Sequence, residues 1–168
     1  MFVQEFNTRY ERFNEAVNFA ATTSAIQLNR VFFITTASSA SASELLINSL
    51  SPYLSTVLVG QNSFGKPVGS LVLPVMDYVI LPIAFRTVNA DGLADYYEGL
   101  PVSYARADGL DKDFGDPTET CLATALEIIG GAFPPQQLGA NLPKRGRGDL
   151  REVNQKLDDS FKEMFIER

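Results

Sequence analysis

Along the first seventeen residues the apolar positions Val3, Phe6, Tyr10, Phe13 and Val17 recur at intervals of 3, 4, 3 and 4, which predicts one face of an amphipathic helix. "RVFFITT", Arg30 to Thr36, is a short β-rich run that predicts a buried strand. Ala42 to Tyr53 predicts a helix with Leu45, Leu46 and Leu50 on one side, and "STVLVG", Ser55 to Gly60, a second buried strand. Strand, helix and strand within so short a span predict a parallel βαβ crossover. Gln61 to Ser70 is a glycine-containing loop. Two strands are expected after it, near Ser70–Val75 and Tyr78–Thr87, the second with Val79, Leu81, Ile83 and Phe85 in alternation. The stretch "NADGLADYYEGLPVSYARADG" carries turn signals.

A further helix is predicted to open at "DPTE", with Asp116 as cap, Pro117 in the first helical position and Glu119 completing a capping box, and to end at Gly130 and Gly131. Residues 134–148 read as a linker. Leu150, Val153, Leu157, Phe161 and Phe165 mark an amphipathic helix over 149–168, with core packing as its default role. The expected fold class is α/β: one domain over 1–133, the linker, then that helix.

Composition narrows the chemistry. The 168 residues are 45% hydrophobic and 20% charged, enough for one domain with a real core. A net charge of −6 argues against nucleic acid as a partner, and the basic stretch from Lys144 to Arg151 reads as a solvated loop. There is no histidine, which removes a Ser-His-Asp triad, a Cys-His dyad and any histidine metal site from within this chain. The one cysteine, Cys121, lies among Leu122, Ala125 and Leu126 and reads as a buried, inert thiol. Asp91, Asp95 and Glu98 do not have EF-hand spacing and read as solvated loop carboxylates. No metal or cofactor is expected. The beginning "MFVQEFNTRYERF" lacks a basic start and an apolar run, so no signal peptide is read there. The apolar region from Leu71 to Phe85 is interrupted by Pro74, Asp77 and Pro82.

The candidate chemistry sits at "TTASSASASELLIN", Thr35 to Asn48. Ser41-Ala42-Ser43-Glu44 is a Ser-x-x-Glu capping box, and that role alone accounts for the residues. A serine at a strand-to-helix turn also sits at the positive end of the helix dipole, where backbone N–H groups such as that of Ala42 can stabilise an oxyanion. Without histidine, its base would be a lysine brought toward neutrality by burial or neighbouring charge. Lys66 in "SFGKPVG" lies 25 residues on, a distance that helix and strand use up so that the chain returns beside the turn it left. Gly65 and Gly69 are expected to permit close backbone approach.

Ser39-Ala40-Ser41-Ala42-Ser43-Glu44 and, 25 positions beyond the middle serine, Phe64-Gly65-Lys66 resemble the hallmark of the carboxyl-terminal processing, or tail-specific, serine proteases. The resemblance extends more weakly to about Gly131. It implies Ser41 as nucleophile, Lys66 as base, Ala42 N–H as an oxyanion donor, and a ClpP/crotonase-like ββα core of which this chain is the C-terminal part. It also implies polypeptide substrates with exposed C-terminal tails, and the cell envelope as location. A homo-oligomer is left open. Glu44 is given first a capping role and second a supporting one in the site.

The chain departs from the family pattern in three places. Ser70 stands four residues after the lysine, where many members carry a glutamine that positions it. Pro67 follows Lys66 where glycine is commoner. No "DLRxNxGG"-like oxyanion segment and no PDZ-type peptide-binding region precede Ser41. The expectation is therefore a piece of a longer enzyme, weak or inactive alone. Two other readings stay open: a non-catalytic protein of the same fold, and a crotonase-like acyl-CoA enzyme.

Overall fold

The structure is a computed structural model and describes residues 1–109 and 111–131. The linker over 134–148, the helix over 149–168 and the basic stretch from Lys144 lie outside the described residues.

The chain begins as a strand where a helix was expected. β1 (Phe2–Phe6) pairs antiparallel with β2 (Glu15–Val17), and a short 3-10 turn, Glu11–Phe13, lies between them. Asparagines break the helical periodicity. Asn7 Oδ1 accepts from Arg9 N–H and the Asn7 carbonyl from Tyr10 N–H, while Asn14 Oδ1 accepts from Phe6 N–H. The apolar residues still meet, now across a hairpin: Phe6 packs against Phe13 and Phe85 with ring centroids 6.1 and 5.5 Å apart.

β3 (Arg30–Thr35), α1 (Ala42–Leu50) and β4 (Ser55–Gly60) form the parallel crossover that the pattern predicts, in register from Arg30 opposite Ser55 to Thr35 opposite Gly60. β3, at an edge of its sheet among the described residues, is less buried than expected, with Ile34 45% exposed; β4, between β3 and β9, buries Leu58 and Val59. The buried face of α1 also differs from expectation. Leu46 is exposed, and the helix turns Glu44, Ile47, Asn48 and Ser49 inward.

The two strands expected between residues 70 and 87 are four. β5 (Val68–Ser70), β6 (Leu73–Val75), β7 (Tyr78–Ile80) and β8 (Ile83–Asn89) are separated by breaks at Leu71–Val72 and Leu81–Pro82 and by a turn in which Met76 has φ 53°. Pro82 cannot donate to a ladder and falls in the break between β7 and β8, whereas Pro74 sits within the short β6, opposite Val79. Among the described residues β6 and β7 pair only with each other, as a hairpin whose Val75, Met76, Tyr78 and Val79 are exposed. β5 pairs with β8 across a bulge between Gly69 and Ser70, giving a four-stranded sheet in the order β2-β1-β8-β5.

β9 (Tyr104–Ala105) joins β4 in parallel and completes the sheet β3-β4-β9. α2 (Thr120–Ile129) packs on this sheet around Val59, Cys121 and Ala125, with Phe32, Val57, Tyr104 and Ile128 at the margin. Its cap is not Asp116. Glu119 holds that position and its carboxylate accepts from Cys121 and Leu122 N–H, whereas Asp116 accepts from Thr118 in the preceding turn. Glycines close the helix as expected, Gly130 as cap and Gly131 at φ 83°. The architecture is mixed α/β. No helix among the described residues is long and apolar enough to cross a membrane.

Candidate active site

Of the four serines in the segment after β3, one stands apart. Ser39 closes its own turn: its Oγ accepts from Thr36 N–H at 3.0 Å and its N–H donates to the Thr36 carbonyl. Ser38 and Ser43 are exposed. Ser41 is half-buried at the corner into α1, with φ 52° and ψ −108°. A residue with a Cβ holds that conformation only when its surroundings impose it. A serine on a strained strand-to-helix corner, hydroxyl at the helix N-terminus, is the geometry of a nucleophile elbow.

The capping box is present, with its Glu44 half the firm one. Ser41 N–H donates to Glu44 Oε2 at 3.0 Å, while the Ser41 side chain lies toward the Glu44 backbone without a full cap hydrogen bond. Ala42 is exposed, and its N–H, the first of the helix, takes no backbone partner among the described residues. It is therefore available to an incoming oxygen.

Glu44 does more than cap. It is fully buried, and its two oxygens accept four hydrogen bonds. Oε2 receives Ser41 N–H at 3.0 Å and Lys66 N–H at 2.8 Å; Oε1 receives Gly65 N–H and Ser63 Oγ–H, each at 2.6 Å. The backbone nitrogens of Ser41 and Lys66 are thus bound to one carboxylate oxygen. A second link ties the same two loops: Phe64 N–H donates to the Ser39 carbonyl at 2.8 Å. The sequence expectation that the chain returns beside its own turn holds for these backbones.

Lys66 is half-buried, and no carboxylate lies within ion-pair distance of its amine among the described residues. Its Nζ and Ser41 Oγ form no hydrogen bond. Pro67 next to it is fully buried, and its carbonyl accepts from Thr87 N–H at 2.9 Å, so the proline clamps the lysine loop to β8. Tyr96, whose phenol is pushed above its ordinary pKa chiefly by burial, lies 3.4 Å from Thr87 Oγ1. Gly65, at φ 92°, packs its Cα against the Tyr97 carbonyl so closely that no side chain fits, and Gly69 lies under the Phe85 ring. Both glycines serve close approach, but to the 97–99 segment and to β8 rather than to the serine turn. Ser70 is half-buried in β5 opposite Ile83 and makes no hydrogen bond to Lys66.

Three residues of this arrangement carry no sequence signal. Ser63 is buried between Glu44 and Leu100; Asn48 and Asn89 form a buried pair that anchors the far half of α1. Other candidates fall away. Asp91, Asp95 and Glu98 are exposed. Among the described residues, the group with metal-ligand spacing is Asp108, Glu119 and Cys121. There the Glu119 carboxylate is occupied by the helix cap, and burial, then the nearby Glu119 and Asp108 charges, push the Cys121 thiol up to about 11, which keeps it protonated at neutral pH. A groove of about 430 Å³ between Glu5–Thr8, Val68 and Ile83–Arg86 includes neither Ser41 nor Lys66.

No protein-family model matches the chain, and no curated protein sequence does. Sixteen chains of solved structures match. One is the crystal structure described as "Putative S41 protease from Bacteroides fragilis NCTC 9343", with a TM-score of 0.69 and 26% sequence identity. This chain is similar to that S41 protease. The likeness covers 78% of this chain and 36% of the other, so the chain spans little more than a third of that protein's length. The S41 likeness agrees with the mixed α/β fold read from the sequence.

Proposed function

We propose that this chain carries the nucleophile and base of a serine peptidase of the S41 type, a Ser-Lys enzyme that cleaves polypeptides with exposed C-terminal tails. The observation that carries the reading is the shared carboxylate oxygen: Glu44 Oε2 accepts from the backbone N–H groups of both Ser41 and Lys66, and so gathers a strained corner serine and a lysine that has no ion-pair partner among the described residues. The protease named in the structural likeness supports it.

In this reading Ser41 Oγ attacks the scissile carbonyl carbon while Lys66 Nζ, acting as the base, takes the hydroxyl proton. The carbonyl oxygen becomes an oxyanion facing Ala42 N–H. Collapse breaks the C–N bond, Lys66 gives the proton to the leaving amine, and an ester remains on Ser41. Water then adds to the ester and passes a proton to Lys66. The second collapse frees the carboxylic acid and returns that proton to Ser41. Glu44 holds the two loops together and does not exchange protons with substrate. Ser70, in this reading, supports the lysine strand without hydrogen-bonding the amine. The ClpP/crotonase-like core and an envelope location belong to the same proposal.

Among the described residues this reading identifies one oxyanion donor, Ala42 N–H. Where a second is lacking the cost is on the order of 10²–10³ in rate, so the described part alone is expected to be slow. The test is cleavage of an unstructured polypeptide with an apolar C-terminus by the protein at its full natural length. Ser41→Ala and Lys66→Ala are each expected to lower kcat/KM by at least about 10³-fold. Cleavage indifferent to both substitutions would overturn the reading and leave Ser41 as a helix cap. Binding of an acyl-CoA thioester without peptide cleavage would move the assignment to acyl-CoA chemistry.

A further inference from the structure

Glu44 reaches the pair only if its carboxylate is held in one orientation, and one side chain holds it. Ser63 is 5% exposed and its Oγ donates to Glu44 Oε1 at 2.6 Å. The same Oγ accepts from Leu100 N–H at 2.7 Å, and Ser63 N–H donates to the Leu100 carbonyl at 3.2 Å. A hydroxyl has one proton. With an N–H already directed at one lone pair, the Ser63 proton is directed at Glu44. Gly99 lies against the Ser63 carbonyl with no room for a side chain, so the segment from Tyr96 to Leu100 and the lysine loop are fixed to each other at this point.

The other three donors to Glu44 are backbone N–H groups of the serine corner and the lysine loop, the two segments the carboxylate brings together. Ser63 alone contributes a side-chain hydroxyl, and it is the one tied directly to Leu100. We propose that Ser63 is a positioning residue for the Ser41–Lys66 pair, orienting Glu44 and carrying the position of the Tyr96–Leu100 segment into the site. This rests on the peptidase reading above for its catalytic consequence, but not for its geometry.

The experiment compares Ser63→Ala, Ser63→Cys and Ser63→Thr in the protein at its full natural length. The first readout is the backbone amide resonance of Ser41, to which Ser63 makes no hydrogen bond. Ser63→Ala is expected to move it together with that of Lys66, and Ser63→Thr, which keeps the hydroxyl, to restore both. The second readout is modification of Ser41 by a fluorophosphonate and peptide turnover. Ser63→Ala is expected to slow labelling and lower kcat by about 10²-fold with KM unchanged, the cost of a small misplacement, and Ser63→Thr to recover most of it. Where Ser63→Ala does not fold, Ser63→Cys leaves no cavity and keeps a much weaker donor. An unmoved Ser41 amide in a folded Ser63→Ala or Ser63→Cys protein overturns the proposal whatever the activity. So does turnover equal to wild type in an active enzyme. Moved amides in a protein that neither labels nor cleaves uphold the positioning and overturn the peptidase reading instead.

Discussion

Ser41 holds a conformation that costs a residue with a Cβ about 1–3 kcal/mol. Glycine carries no such penalty, although it loses about 0.5–1 kcal/mol more chain entropy on folding. Ser41→Ala and Ser41→Gly both remove the hydroxyl, so the difference between them isolates the backbone strain. Ser41→Gly is expected to be the more stable of the two by about 1 kcal/mol, read as a higher urea midpoint, and both are expected to be inactive. Equal midpoints would show that the corner is not strained. The residue scale also marks where local sequence stops informing. Ser-x-x-Glu predicts the hydrogen bond from Ser41 N–H to Glu44, and that bond is present. Nothing in those four residues reports that the same carboxylate takes three more donors from Ser63, Gly65 and Lys66, because those arrive from a loop after the next strand.

α1 is held at its other end by asparagines. Asn89 Nδ2 donates to the Asn48 carbonyl and to Asn48 Oδ1, and Asn89 Oδ1 accepts from Asp91 and Leu93 N–H, while Asn48 Nδ2 donates to the Leu93 carbonyl. Both residues are buried, so removing either leaves polar groups without partners. Asn48→Ala and Asn89→Ala are each expected to cost about 2–3 kcal/mol, and the double variant less than the sum, because the second substitution removes partners already orphaned. Additive costs in urea unfolding would show that the two act separately. The β3-α1-β4 unit was legible because a strand run, a capping box and a second strand run agree over a short stretch. The inward face of α1 was not legible, since its three leucines outweigh Asn48 and Glu44 in any hydrophobic count while tertiary partners decide which side is buried. The opening segment misled for the same reason: spacing alone suits a helix, and the pairing of Phe2–Phe6 with β8 is visible only once β8 exists.

Across the whole molecule, α2 against the sheet β3-β4-β9 makes the core cluster, and Cys121 sits in it fully buried. Composition foretold an inert thiol here, since a cysteine among leucines and alanines has little else to do. It did not foretell that acidic neighbours add to the effect of burial. Burial first, then Glu119 and Asp108, raise the thiol from 9.0 to about 11, with Arg106 opposing. Folding stability inherits this shift. The unfolded chain loses the thiol proton as pH passes about 9, whereas the folded chain keeps it until about 11. In that window the unfolded state binds fewer protons, so stability falls as pH rises; below it this group contributes no pH dependence. Tyrosines and lysines titrate nearby, so the informative quantity is a difference. Urea midpoints followed from about pH 8 to 11 are expected to fall more steeply for the wild type than for Cys121→Ala, and the native thiol to resist alkylation at neutral pH. Parallel midpoint curves would mean that the thiol proton is not held by the core, and that α2 meets the sheet more loosely than its packing around Val59 and Ala125 indicates.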